Sequence, residues 1–206
     1  MHKREFKFDY PLARNSRALR EVLQQRSLAV RTAVGEEIRG VLDSQADESS
    51  YVSTVVGRFS IKIPQFDFDH EHVKKVEEYE QMPSPYQSIF PNQMVRMWVV
   101  NFGIPYIGDI DYLRYIPPAG SAMSFPQFTY DGECMWFRVW TPDGPDKDVQ
   151  KIRAEKDNAI AFLQRRLADV VSELEEFNQQ LPTAVQTLFE SLKQKYQKDK
   201  DLLPQL

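Results

Sequence analysis

Two short stretches of this chain hold most of the residues that could do chemistry. Asp67-Phe68-Asp69-His70-Glu71-His72 places oxygen and imidazole donors side by side, and Gly108-Asp109-Ile110-Asp111 sets two carboxylates at alternate positions beside a glycine. A carboxylate pair of that kind binds a divalent ion or shares a proton. Together the two stretches would equip a metal-assisted hydrolase centred on Asp109 and Asp111, helped by Asp67, Asp69 or His70. Each stretch also has a plainer use. On a strand, Asp67 and Asp69 share one face while His70 and His72 share the other, so no single turn of regular structure gathers all the donors. Zinc ligand pairs are usually more widely separated. Asp109 is the type of residue that closes a loop by bonding nearby backbone amides. The plainer use is preferred: no metal site, no catalytic residue and no cofactor is assigned, and Asp67, Asp69, His70, Asp109 and Asp111 stay as candidates.

Nucleophilic catalysis has little to work with. The single cysteine, Cys134, sits in the apolar run Glu-Cys-Met-Trp-Phe, and histidine occurs only at positions 2, 70 and 72. A thiolate needs exposure and a neighbouring base, so a buried, inert thiol is expected. The glycines are scattered and build no phosphate-cradling loop. Aromatic residues concentrate in 59–68, 98–115 and 125–140. They would stack bases if lysine and arginine were interleaved, but on these strands only Arg96, Arg114 and Arg138 are, so a core is the better reading.

Charge narrows the partners further. The formal net charge is −4, which gives no global field for a phosphate backbone. Nucleic-acid binding remains as an alternative through Arg17, Arg20, Arg26, Arg31 and Arg39, or through Lys193, Lys195, Lys198 and Lys200. The arginines are interleaved with Glu21, Glu36 and Glu37, which favours a solvated, paired face. One thiol makes no internal disulfide, no secretory apolar run follows the basic start, and no apolar stretch is long enough to span a membrane. A cytoplasmic protein with no membrane partner is expected.

The elements that must position these residues divide into an α+β body, residues 1–145, and a helical arm, residues 146–206. With 42% hydrophobic and 27% charged residues, the chain can build a core. Asn15 or Ser16 can cap a helix whose apolar face is Leu19, Val22, Leu23, Val30, Val34, Ile38, Val41 and Leu42. It ends in the polar segment 43–50. Residues 51–56 and 58–68 read as strands, with Pro64 at an edge or bend. Residues 70–81 read as a short charged helix or turn, ended by Met82-Pro-Ser-Pro-Tyr86. Met94 to Asn101 is the most continuous apolar run and should be a buried strand. A long connection with a short strand or turn at 111–116 leads to a hairpin, 125–130 with 134–140, turning at Asp131-Gly132. The body is therefore small, β-rich and mostly antiparallel.

From Val149 the apolar period becomes helical, and Leu163, Leu167, Val170, Leu174, Phe177, Leu181, Val185 and Leu188 follow the spacing of a coiled-coil seam. Pro182 disfavours helix at the residue before it, so a break is expected between Phe177 and Pro182, with Asn178 capping the second helix. The favoured form is an antiparallel helical hairpin; a single kinked helix competes. The seam either joins two copies of the chain or packs inside one.

Two stretches, Ile104-Pro105-Tyr106-Ile107-Gly108-Asp109 leading to Leu113-Arg114-Tyr115-Ile116-Pro117, and Glu176-Phe177-Asn178-Gln179-Gln180-Leu181-Pro182, carry a family likeness. Over residues 102–206 the chain resembles N-terminal modules of multidomain bacterial proteins whose C-terminal part is a TIR or restriction-endonuclease-like effector. Such proteins are often associated with defence against phage. The resemblance implies a sensing or assembly region with its catalytic residues elsewhere, and Asp201-Leu-Leu-Pro-Gln-Leu206 reads like the start of a connection to a further domain. The expectation is a non-catalytic interaction, sensing or oligomerisation module that binds itself or another protein.

Overall fold

The computed structural model describes residues 4–6, 18–81, 94–115, 128–141 and 144–202; for 4–6, 75–81 and 94–97 it describes the backbone alone. Asn15, Ser16, Arg17, the 82–86 turn, residues 116–127 and the last four residues lie outside this set. The chain is α+β, with an N-terminal helix, a small antiparallel sheet and a long C-terminal helix.

Helix α1 spans Leu19–Asp43 and buries Leu19, Leu23, Val30, Val34 and Ile38 of the stripe its spacing predicts, while Val22, Val41 and Leu42 of that stripe stay half-buried. Helix α2, Glu48–Phe59, corrects the strand expected at 51–56. Asp47 starts it, its carboxylate accepting the Ser50 amide at 3.0 Å. Val52, Val55, Val56 and Phe59 then fall at helical spacing and pack toward α1. The β-branched composition argued for a strand, but the period and the cap decided the matter.

The sheet runs β1-β5-β6-β4-β2 with β3 also on β4, all antiparallel. Its members are β1 (Arg4–Phe6), β2 (Gln65–Phe66), β3 (His72–Gln81), β4 (Met94–Ile107), β5 (Phe128–Tyr130) and β6 (Cys134–Thr141). The expected strand 58–68 shrinks to β2, and the expected charged helix at 70–81 is β3. The charges of β3 suit an outer strand, which must not invite further pairing. The apolar strand at 94–101 is present and extends to Ile107, and β5 and β6 form the hairpin at Asp131-Gly132. A short 3-10 turn, Ile110–Arg114, stands where a strand or turn is expected. Gly103 lets the Trp136 ring lie against the strand, since a Cβ there would sit 2.7 Å from the ring.

Helix α3 is one continuous element, Val149–Leu202, with Pro182 inside it. This corrects both the hairpin and the break at 177–182. Proline in a helix interior costs about 3 kcal/mol through a lost hydrogen bond and a ring clash. Leu181, Val185 and Phe189 are all buried around it, and each such burial stabilises by about 1.5–3 kcal/mol, so packing outweighs the local penalty. Asn178 is an interior helical residue and caps nothing.

Along its length of about 80 Å, α3 serves two packed regions in turn. Its first half lies on the sheet, where Ile152, Ala159 and Leu163 join Val100, Phe102 and Phe137. Its second half completes a three-helix bundle. Leu19 and Leu23 of α1 share a cluster with Leu163 to Leu174, while Tyr196 bonds Asp43 at 2.6 Å, so α1 runs parallel to α3. Lys193 pairs with Glu48 at 2.7 Å and Tyr51 meets Phe189, so α2 runs antiparallel to it. The boundary drawn at residue 145 thus parts, in sequence, residues that share one core. No helix among the described residues is long and apolar enough to cross a membrane.

Candidate functional site

The acidic candidates are dispersed into structural duties. Asp109 accepts the Lys62 amide at 3.1 Å and its own amide donates to the Lys62 carbonyl at 2.8 Å, clasping the segment after α2 to the end of β4. Gly108 makes this possible: its φ is +88°, and a Cβ would lie 2.4 Å from the Ile63 carbonyl oxygen. Asp111 accepts the Tyr130 hydroxyl at 3.1 Å. Asp67 pairs with His70 at 2.8 Å, an exposed contact whose hydrogen bond holds the carboxyl below its ordinary range. Among the described residues, no three histidine, cysteine or acidic side chains come together in a way that would hold a metal ion. Cys134 is buried, and that burial pushes its thiol up, away from thiolate.

The basic candidates divide. Arg26 is taken up inside the fold, donating to the carbonyls of Phe59 at 2.8 Å and Ser60 at 3.3 Å and to the Tyr112 hydroxyl at 3.1 Å. Glu37 pairs with Arg58 across α1 and α2, and that hydrogen bond lowers its carboxyl. Arg166 donates to the carbonyls of Leu113 and Tyr115, and burial lowers its own pKa. It fastens the 3-10 turn to α3. Arg20, Arg31 and Arg39 remain on the outer side of α1.

The predicted seam is an internal one along most of its length. Leu163, Val170 and Leu174 are fully buried with the sheet and α1. Leu181 and Val185 are buried with Val30, Val34 and Val55. Phe177 touches both clusters, while Leu167 and Leu188 are half-buried. These residues fill the interior of one chain, so the stripe as a whole is not free to zip two chains together. Reading the stripe in heptads also missed Phe189, which is fully buried against Tyr51, ring centroids 5.6 Å apart.

What the stripe leaves open is its edge. On the side of the bundle away from α2, α1 and α3 border a groove of about 800 Å³. Val30, Phe177, Leu181, Ala184 and Leu188 supply its apolar surface, and Ser27, Thr183, Thr187 and Ser191 supply small hydroxyl-bearing residues along it. Arg31 is the one charged residue among those lining it. Leu28, at 59% exposure, stands next in sequence to the lining Ser27. Its lining holds no histidine, cysteine or carboxylate, and most of its surface is apolar.

A second opening, of about 630 Å³, lies by β2 and the end of β4, lined by Phe66, Phe68, Tyr106, Ile107, Asp67 and Asp69. Its rings pack in tilted pairs, Phe66 with Phe68 at 5.8 Å and Phe66 with Tyr106 at 5.9 Å between centroids.

Compared with protein-family models, with curated proteins and with solved structures, the chain matches none.

Proposed function

We propose that this chain is a non-catalytic interaction module whose contact surface is the groove between α1 and α3. The observation that carries the reading is the apolar groove itself, floored by the buried Val30 and Leu181 and open at Phe177, Ala184 and Leu188, with the exposed Leu28 nearby on α1. The continuous α3 ties that strip to the sheet, so whatever docks in the groove is held at a fixed distance from the β-rich half. In the setting implied by the bacterial modules it resembles, the chain would sense or assemble while a joined effector acts. A reducing cytoplasm suits its single free thiol.

A photo-crosslinking residue at Thr187, in the groove, and another at Asp157, exposed on the first half of α3, test this in the cells the gene comes from. A discrete protein adduct at position 187 that is missing at 157 is expected. No adduct at 187, or equal adducts at both, would remove the basis for the reading.

A further inference from the structure

We infer that the occupant of the α1/α3 groove is the same groove of a second copy of this chain, the two copies lying side by side with their α1 and α3 helices parallel. This rests on the interaction reading above and gives it a partner. The groove and its filler are on the same face. Ser27 and Arg31 line the groove, and Leu28, beside them on α1, presents an exposed isobutyl group with no apolar cover of its own. A two-fold axis brings each Leu28 over the other copy's apolar strip, so one operation covers both knobs and fills both grooves.

Charge selects the direction of the pairing. Arg20, Gln24, Ser27, Leu28, Arg31 and Gly35 follow helical spacing on the outer side of α1, with Glu21 and Arg39 at its margin, so basic residues outnumber acidic ones there. The matching side of α3 carries Glu173 about one turn before the apolar strip and Glu176 immediately before it. Among the described residues, Arg20, Arg31 and Glu173 make no ion pair within the chain. Asp43 of α1 meets Tyr196 of α3, and because the two helices run parallel with the same rise, Arg20 and Glu173 stand at similar heights along the bundle. An axis along the helices sets α1 of one copy against α3 of the other and faces Arg20 with Glu173. An axis across them sets α1 on α1 and crowds arginine against arginine.

The size of the face fits. With its 25 residues α1 is about 37 Å long. Two helices abreast are about 20 Å wide, so the face offers roughly 700 Å², close to the ~800 Å² per partner of a specific interface.

Light scattering of the full chain over a concentration series, with variants, tests the inference. The wild type should move from one chain to two as concentration rises. Leu28→Asp and Thr187→Arg should stay at one chain with unchanged circular dichroism and melting, since both positions are exposed. Arg20→Glu should weaken the dimer at least tenfold, and Arg20→Glu with Glu173→Arg should restore it. A wild type that stays monomeric, or a dimer indifferent to Leu28→Asp and Thr187→Arg, would overturn the self-pairing. A dimer sensitive to those two but unrestored by the charge exchange would overturn its parallel direction. If the chain is monomeric yet position 187 still captures a different protein, the interaction reading stands and only the second copy is lost. No adduct and no dimer would sink both.

Discussion

Asn178 pairs with Ile61 as a neighbouring strand would: its side-chain oxygen accepts the Ile61 amide at 2.9 Å and its nitrogen donates to the Ile61 carbonyl at 2.8 Å. One helical residue thereby satisfies both backbone groups of the segment that leaves α2. Asn178→Ala removes both partners at once and should cost about 1–3 kcal/mol in urea unfolding, with α3 still helical. Tyr51 answers to pH at the same scale. Burial first, then its hydrogen bond to Glu37, pushes its hydroxyl from the ordinary 10.0 up to about 12. A folded-state value raised in this way contributes stability that is fully present below pH 10 and lost as pH rises toward 12. Tyr51→Phe should therefore flatten the decline in stability over that alkaline window, measured by denaturant melts at each pH; an unchanged slope would contradict it. Neither role was legible in the sequence. Asn178 reads as a cap because Pro182 follows it, and only the fold shows that Ile61, 117 positions away, is its partner.

At the scale of elements, period proved a better guide than composition. The α1 stripe was legible because its spacing and its helix-forming residues agree. The segment 51–59 conflicted: valines and threonine argued strand, while Val52-Val55-Val56-Phe59 and the Asp47 cap argued helix, and the helix won by burying that face on α3. Strand β3 was obscured for the opposite reason, since its charges have no period-2 apolar face and it owes its pairing to β4. Pro182 tests how far tertiary packing carries α3. Pro182→Ala restores a backbone donor at an exposed position without touching the core, so stability should rise by about 1–3 kcal/mol. A fall on that substitution would mean the proline is required. The buried stripe makes the converse test: Leu174→Asp puts a carboxylate into a fully buried site and should cost more than ~3 kcal/mol, unfolding the bundle. Circular dichroism separates that outcome from the exposed Leu28→Asp.

The whole molecule is organised by α3, against which a sheet is packed at one end and two helices at the other. Sequence periodicity found the apolar residues of this helix but could not say which would be spent inside the chain. A seam of fixed spacing describes one helix, whereas a groove exists only between two, and Ser27, Thr183 and Thr187 gain their role from the parallel placement of α1 beside α3. The same placement explains why Leu188, which lines the groove, stays half-buried while Leu174 and Val185 do not. Small-angle X-ray scattering at rising concentration measures the consequence directly, because two copies laid side by side share the long dimension of α3. The scattering mass should double while the maximum dimension grows only by about the width of one bundle beyond the ~80 Å of the helix. A mass that stays at one chain, or a maximum dimension that nearly doubles with the mass, would contradict lateral docking through α1 and α3.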